Sequence, residues 1–166
     1  MMAADAHQEI ERRVVDENDW RLWRELRLSA LADAPEAFRS SYAYWSGPGD
    51  EEENWRARLS GRPFNLVFLQ DDNPAGMVSA TVVDGGEVVE LHSMWVAPSA
   101  RGSGVGDAAI GAVVTWAREQ GASSVLLSVM ATNQPAAGLY RRHGFVDEGV
   151  PPGHPDERAM RLLLDR

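Results

Sequence analysis

A glycine-rich run occupies residues 101–106, where the chain reads Arg-Gly-Ser-Gly-Val-Gly. The run follows a strand-like apolar segment, residues 88–96, and opens a segment of helical periodicity that reaches residue 117. A glycine-rich turn between a strand and a helix brings free backbone N–H groups and the positive end of the helix dipole to one point. Such a point binds phosphate without a basic side chain, so the run predicts a site for a ligand that carries a pyrophosphate group.

Length and composition predict a single globular domain over residues 1–166, because 166 residues with 44% apolar content can bury a full core. Residues 1–9 are expected to form a loose leader. No apolar run reaches membrane-spanning length and no secretory signal pattern is present, so we expect a cytoplasmic protein without a membrane partner. The absence of cysteine and the spacing of the four histidines argue against a disulfide, a cysteine nucleophile and a metal site.

The formal net charge is −9, and all 16 basic residues are arginine. Nucleic-acid binding requires a basic face, so this balance argues against a nucleic-acid partner. An acidic surface helps to attract a cationic substrate, although charge alone does not select one. The acidic run at residues 50–53 suits the start of a helix, and we favour that role over a metal site.

Hydrophobic periodicity and turn residues predict the element order β-α-α-β-β-β-α-β-α-β-β, which indicates an α+β fold built in layers. An aromatic-rich connection is expected after the first helix, at residues 35–45, and a turn at residues 71–74. The predicted strands are residues 12–15, 64–70, 76–83, 88–96, 125–130, 145–148 and 157–164. The predicted helices are residues 20–32, 50–59, 102–120 and 133–143.

Three phosphate-binding motifs compete for the glycine-rich run. A P-loop requires a lysine, which the chain lacks. A dinucleotide-binding fold places its glycines in an early parallel βαβ unit, whereas this run comes late, after strands joined by hairpins. The third motif is [Arg/Gln]-x-x-Gly-x-[Gly/Ala] after a strand that ends Val-x-Pro. Here it stands as residues 96–98, Val-Ala-Pro, followed by Arg101, Gly104 and Gly106, which resembles motif A of the GNAT superfamily of N-acetyltransferases.

A second landmark of that superfamily follows in the expected order. It is an Asn that opens a helix, with Ala, Leu-Tyr and Gly-Phe after it, and here residues 133–145 read Asn-Gln-Pro-Ala-Ala-Gly-Leu-Tyr-Arg-Arg-His-Gly-Phe. The resemblance covers about residues 12–165 and is to bacterial members that act on small molecules or peptides. It implies a mixed, mostly antiparallel sheet of about six to seven strands with helices on both faces.

The resemblance implies acetyl-CoA as the co-substrate and no metal. In the superfamily the turn amides bind the pyrophosphate of coenzyme A, and pantetheine fills a gap between two splayed parallel strands. The side chain of Arg101 either pairs with phosphate or lies on the surface, and a bulge is expected near Met94. Asn133 stands at a cofactor-contacting position and is also a good helix N-cap. The implied cofactor-binding residues are Met94, Trp95, Val96, Arg101, Gly102, Ser103, Gly104, Val105, Gly106, Asn133 and Tyr140.

Tyr140 occupies the position of the superfamily's general acid, where a phenol that is protonated at neutral pH donates to the departing thiolate of coenzyme A. Core packing is the alternative role for this residue. The candidate bases are Glu90 and His92, which share one strand face, or else a water chain. An exposed Glu and a packed His are the alternative there. Weaker candidates for contact with the acceptor are Tyr42, His154 and Asp156.

The implied activity is transfer of acetyl from acetyl-CoA to a primary amine by direct attack on the thioester. A different class of function also stays open, namely a non-catalytic acyl-CoA-binding sensor or regulatory module. The acceptor is a small-molecule or peptide amine, and polyamines, amino acids, aminoglycosides and protein N-termini all fit the sequence. A homodimer is compatible with the resemblance, but no residue indicates one.

Overall fold

The computed structural model of the protein describes residues 9–165, so the expected leader falls outside this part except for Glu9. Seven strands form one sheet in the order β1-β2-β3-β4-β5-β7-β6. Neighbouring strands are antiparallel throughout, apart from the parallel pair β4 and β5, so the predicted mixed, mostly antiparallel sheet is confirmed. The strands are β1 (Ile10–Val14), β2 (Phe64–Gln70), β3 (Asn73–Val83), β4 (Val88–Val96), β5 (Ser124–Met130), β6 (Val146–Gly149) and β7 (Glu157–Leu163).

The helices follow the predicted order with one addition. The short helix α2 lies inside the segment that the sequence predicted as a connection, and Oγ of Ser41 caps it by accepting from the N–H of Tyr44 at 3.1 Å. Five residues are too few to display helical periodicity, so the pattern missed this helix. The helices are α1 (Trp20–Asp33), α2 (Tyr42–Ser46), α3 (Glu52–Ser60), α4 (Val105–Glu119) and α5 (Gln134–Arg142).

One predicted turn is shorter than expected. Asp71 and Asp72 have φ of 50° and 64°, so these two residues alone reverse the chain between β2 and β3. Asn73 and Pro74 were predicted to belong to the turn but are the first residues of β3. Aspartate tolerates the left-handed region better than most residues, which lets a two-residue turn form here.

Helices cover both faces of the sheet. On the first face, α1 and α3 pack against the strands, and the side-chain amide of Asn65 in β2 donates to the carbonyl oxygen of Leu59 at 3.2 Å. On the second face, the ring of Phe64 stacks on Trp116 of α4, with ring centroids 5.0 Å apart. The core fills both layers, and Trp23 of α1 is fully buried in it. Burial of a large side chain stabilises the fold by about 2–3 kcal/mol.

Among residues 9–165, none of the helices combines the length and the apolar character that crossing a membrane requires.

Candidate active site

The sheet opens between β4 and β5. These two strands pair over three residues, as far as Glu90 opposite Leu126. Beyond that point β4 stays paired with β3 up to Val96, while β5 stays paired with β7 up to Met130. The C-terminal halves of the two parallel strands therefore diverge and leave a gap between them, which is where the resemblance predicts pantetheine.

A β-bulge interrupts β4 beside this gap. Between His92 and Trp95, β4 carries one residue more than the stretch of β3 that pairs with it. Ser93 lies in this stretch with φ of 54°, a backbone conformation that a serine rarely adopts. The bulge turns Met94 toward the second face, where its Cε atom lies near Gly106 of α4. The irregularity predicted near Met94 is confirmed.

The glycine-rich turn runs from the end of β4 into α4. Within residues 9–165, the backbone N–H groups of residues 104–107 have no hydrogen-bond acceptor. They form the first turn of α4, at the positive end of its dipole. An anionic group of a ligand can therefore accept from several backbone donors here without the help of a basic side chain.

The glycines of the turn have two different roles. Gly102 and Gly104 have φ of 79° and 95°, and no atom lies within 4 Å of the place where a Cβ would stand. Both glycines allow the left-handed backbone of the turn, and the absence of a Cβ leaves the outer side of the turn open. Gly106 has ordinary helical angles, and a Cβ there would lie 3.0 Å from Cδ2 of Leu139. Its missing side chain lets α5 approach α4.

The side chain of Arg101 is engaged with α1. Its Nη2 atom lies 2.6 Å from Oδ2 of Asp33, and its Nε donates to the carbonyl oxygen of Val96 at 3.3 Å. The indole N–H of Trp95 donates to the same Asp33 oxygen at 3.0 Å. These donors, Trp95 first, hold the pKa of Asp33 below its usual range. In this structure Arg101 forms half of an ion pair at the surface, and its pairing with phosphate stays a prediction.

Tyr140 lies on α5 and is 7% exposed. Its hydroxyl donates to the sulfur of Met94 at 3.6 Å, and its ring packs against Phe145 with centroids 5.8 Å apart. Burial raises the pKa of the phenol well above its usual value, so the hydroxyl carries its proton at neutral pH. A thioether is a weak acceptor, so the hydroxyl is available to a stronger one.

The two ends of α5 are held by its own residues and by α4. Oδ1 of Asn133 accepts from the N–H of Ala136 at 3.3 Å, which confirms the predicted N-cap. At the other end, Nε2 of His143 lies 2.7 Å from Oδ1 of Asp107 in α4, and Arg142 donates to the same atom at 2.9 Å. These contacts fix α5, and with it Tyr140, against the start of α4.

Glu90 and His92 lie side by side on the first face. Oε2 of Glu90 is 3.4 Å from Nε2 of His92, and the hydroxyl of Thr81 is 3.0 Å from the same nitrogen. Burial and, to a smaller extent, nearby arginine charges together lower the pKa of His92 to about 4. The imidazole is therefore neutral at pH 7, and its contact with Glu90 is not an ion pair. Residues 9–165 contain no group of three or more His, Asp or Glu side chains arranged to hold a metal ion.

Two of the three weaker acceptor candidates, His154 and Asp156, share the connection between β6 and β7, whereas Tyr42 lies at the start of α2. Nδ1 of His154 is 3.1 Å from Oε2 of Glu157, whose carboxylate accepts a two-pronged contact from Arg39 at 3.0 and 3.1 Å. Tyr42 is 46% exposed at the start of α2. Asp156 is exposed and uses its carbonyl oxygen to accept from the N–H of Ala131. His154 is joined through Glu157 to Arg39, whose charge acts on His92.

Sequence reasoning missed a group of arginines beside the bulge. Arg58 in α3 and Arg62 after it both donate to Oγ of Ser93, at 3.0 and 3.3 Å. Arg27 of α1 is buried close to them, with its guanidinium 4.6 Å from the ring centre of Phe38. We call Arg27, Arg58 and Arg62 the arginine cluster. The one signal in the sequence was Arg27, which falls on the apolar face of a predicted helix.

Comparison with known proteins agrees with this geometry. The model of the acetyltransferase (GNAT) family matches residues 23–145. An uncharacterized N-acetyltransferase of Methanocaldococcus jannaschii is 30% identical over 112 residues, which cover 68% of this chain and 47% of that protein. The mycothiol acetyltransferase of Pseudarthrobacter chlorophenolicus is 30% identical over 158 residues, covering 75% of this chain and 49% of that enzyme. The chain thus spans about half the length of these relatives.

Solved structures share the fold. A Salmonella typhimurium structure that contains its cofactor acetyl-CoA superposes with a TM-score of 0.77 at 20% identity, and the match covers 95% of each chain. At this identity the likeness shows the fold alone.

Proposed function

The chain belongs to the acetyltransferase (GNAT) family, and on that basis we propose that it transfers the acetyl group of acetyl-CoA to a primary amine. The observation that carries the proposal is the combination of a split sheet and a donor-rich turn. The gap between β4 and β5 can receive an extended chain, and the unpaired N–H groups of residues 104–107 lie where β4 ends and α4 begins. A pantetheine arm with a pyrophosphate at one end matches both features.

The chain's own groups fit coenzyme A without a basic side chain. Residues 104–106 of the turn would hold the pyrophosphate through backbone N–H groups, which the left-handed angles of Gly102 and Gly104 leave open to the outside. The N–H groups of Arg101 and Ser103 already donate to carbonyl oxygens within the turn. The backbone of Met94, Trp95 and Val96 would face the arm, since β5 supplies no partner to this part of β4. Asn133 would contribute by capping the start of α5, the helix that carries Tyr140.

We propose that the amine nitrogen attacks the thioester carbonyl carbon directly. One C–N bond forms and one C–S bond breaks, the amine gives up a proton to a base, and the departing thiolate takes a proton. Backbone N–H groups of β4 at the gap would polarise the carbonyl. The hydroxyl of Tyr140 would supply the proton to sulfur, because it is protonated and already donates to the sulfur of Met94.

The base is proposed to be Glu90, with His92 beside it. The carboxylate side chain is 36% exposed, so a substrate amine or a bridging water can reach it. His92 has a pKa lowered to about 4, which makes its imidazole a weak proton acceptor at pH 7. Its role is to hold the Glu90 carboxylate in place through the 3.4 Å contact.

An amine-library screen with mass-spectrometric detection tests the proposed function. The library contains amino acids, polyamines, aminoglycosides and peptides with free N-termini, each incubated with acetyl-CoA and the purified protein. We expect at least one amine to gain an acetyl group and to release free coenzyme A. Binding of acetyl-CoA without turnover on any amine would instead support a sensor or regulatory module.

The direct mechanism has its own test. The protein is incubated with acetyl-CoA in the absence of an amine, and its intact mass is then measured. Direct attack predicts an unchanged mass, because no side chain carries the acetyl group. A protein that gains one acetyl group and then passes it to an added amine would contradict direct attack.

A further inference from the structure

The arginine cluster joins three separate parts of the chain at the bulge of β4. Arg27 comes from α1, Arg58 from α3 and Arg62 from the residues that follow α3. Both Arg58 and Arg62 reach the side-chain oxygen of Ser93, the residue with the left-handed backbone. The cluster therefore lies on the first face, against the strand that carries Glu90.

Within the described residues, the cluster lacks a carboxylate partner at ion-pair distance. Across residues 9–165, no acidic side chain forms an ion pair with any of its three members. Nη1 of Arg27 and Nε of Arg58 are buried without a hydrogen-bond partner in the same part of the chain. By contrast, Arg24 on the same helix as Arg27 binds both carboxylate oxygens of Asp50, at 2.6 and 2.7 Å.

This arrangement is unfavourable for folding. Arg27 is only 4% exposed, and burial lowers the pKa of its guanidinium to about 9, with the charges of Arg58 and Arg62 adding to the effect. Burial and the charge of Arg58 likewise lower the pKa of Arg62, against the opposing charge of Glu90, to about 10. A buried charge normally requires a partner, and a chain with 25 acidic residues could supply one. The missing partner points to a ligand.

We propose that the arginine cluster binds an oxyanion of the acceptor, so that the acceptor is an amine that also carries a carboxylate or a related acid group. Arg58 and Arg62 are half-buried and can offer the planar, two-pronged contact that guanidinium makes with carboxylate. Arg27 lies deeper and supplies positive charge behind them. This inference rests on the proposed function, because it names the acceptor of that reaction.

The cluster also lies beside the proposed base. Ser93, which Arg58 and Arg62 contact, follows Glu90 by three positions in β4, and the charge of Glu90 acts on Arg62. An amine that carries an acid group can therefore place its oxyanion at the cluster and its nitrogen near Glu90. Amino acids have both groups. Polyamines and aminoglycosides lack the anion and would bring further positive charge to the cluster.

Matched acceptors test the proposal. The rate of acetylation is measured for a set of L-amino acids, for the corresponding carboxamides and aminophosphonates, and for a polyamine and an aminoglycoside. A charge-assisted contact gives about a 10- to 100-fold preference in kcat/KM, so we expect the acids to exceed the amides by that factor. The aminophosphonates distinguish a site specific for carboxylate from one that accepts any oxyanion. Faster acetylation of the amino acid or of the aminophosphonate than of the carboxamide supports the proposal.

Variants connect the preference to the cluster. Arg58→Gln and Arg62→Gln should move the acid-to-amide ratio toward one, chiefly through a higher KM for the acids, and Arg62→Lys should keep part of the ratio. The matched control is Arg56→Gln, an arginine of α3 that pairs with Glu52 on the surface and should keep the wild-type ratio. Thermal unfolding of each variant shows that it is folded. If a variant does not fold, the acid-to-amide ratio of the wild type by itself tests whether the acceptor carries an oxyanion.

The outcomes separate the two proposals. If the wild type acetylates amides, polyamines or aminoglycosides as well as it acetylates the acids, the oxyanion site is wrong and the acetyltransferase proposal stands. An acid preference that neither glutamine variant reduces also overturns the assignment to the cluster. If no amine in the set is acetylated, the proposed function fails and the inference fails with it.

Discussion

The hydroxyl of Tyr140 lies 3.6 Å from the thioether sulfur of Met94, beside the gap between β4 and β5. The contact joins α5 to the bulged part of β4, so it depends on the packing of α5 against this strand. The hydroxyl is directed at the sulfur of Met94. A thiolate leaving the acetyl group at this edge of the gap would be a far better acceptor for the same proton than a thioether.

Replacement of Tyr140 by Phe removes this proton donor and keeps the ring that packs on Phe145. General acid catalysis contributes about 10²- to 10⁴-fold, so kcat should fall by at least about 100-fold while KM for acetyl-CoA changes little. Thermal stability should stay close to that of the wild type, because the lost contact is weak. Steady-state kinetics and a thermal melt on the same preparation check both statements. An unchanged kcat would remove Tyr140 from the mechanism.

Gly104 and Gly111 form a matched pair on one helix. Gly104 caps α4 with φ of 95°, whereas Gly111 lies inside α4, and neither has an atom within 4 Å of a would-be Cβ. Gly104→Ala should lower the free energy of unfolding by about 1 kcal/mol and raise KM for acetyl-CoA, because alanine resists the left-handed turn that exposes the amides. Gly111→Ala should raise stability by about 0.5–1 kcal/mol and leave KM unchanged.

Urea unfolding measures both changes, and the kinetic assay measures KM. Equal effects of the two substitutions on stability would contradict the assigned backbone role of Gly104. A Gly104→Ala variant with wild-type KM would mean that the turn is a chain reversal and not a binding element.

His92 should make stability depend on pH. Its pKa is about 4 in the folded chain, and an unfolded histidine titrates near pH ~6.5. As pH falls through 6.5, the unfolded chain binds this proton before the folded chain does, so stability falls, by at most about 3 kcal/mol when pH 4 is reached. Burial and the charges of Arg62, Arg58 and Arg39 oppose protonation, while the Glu90 carboxylate lies 3.4 Å away.

The measurement is urea unfolding of the wild type and of His92→Gln at pH 8 and pH 5. The wild type should lose about 2 kcal/mol more than the variant over this interval, because the variant has no imidazole to titrate. Parallel losses in the two proteins would mean that His92 is not the buried neutral group described above.

Two arginines of α1 should respond oppositely to replacement by methionine. Arg24 binds Asp50 with two contacts, and these contacts together with the indole of Trp55 lower the pKa of that carboxyl to about 2. Arg24→Met should cost about 1 kcal/mol, because the pair is partly exposed. Arg27→Met replaces an unpaired buried charge by an apolar chain of similar length, so stability should hold or rise. A larger loss from Arg27→Met than from Arg24→Met would contradict an uncompensated cluster.

Much of the fold was predictable because the strands and longer helices carry their own periodicity. The glycine-rich turn and the Asn-to-Phe segment marked α4 and α5, the helices that follow the two strands on either side of the gap. The divergence of β4 and β5 was expected only from the resemblance, since strand pairing is a long-range property that no local pattern encodes. The sequence did not predict α2, because its five residues, Tyr42–Ser46, make fewer than two helical turns.

Sequence motifs predicted residues for the donor side of the candidate site, whereas no motif marked the arginine cluster that we propose for the acceptor side. Residues 101–106 and Tyr140 lie in motifs with fixed spacing. Arg27 and Arg58 are separated by 31 positions in the sequence and meet only because α1 and α3 pack on the same face of the sheet. Arg101 and Asp33 are a similar case, 68 positions apart and joined by a 2.6 Å contact. Such pairs depend on packing angles that single-sequence patterns do not contain.

The most direct measurement is the stoichiometry of thiol release from acetyl-CoA. The protein is mixed with acetyl-CoA and an amino acid, and free thiol and acetylated product are followed together over time. An acetyltransferase of the kind proposed here releases one thiol for each acetylated amine, and it releases thiol only when the amine is present. Thiol release that is absent, or that proceeds at the same rate without any amine, would contradict the account.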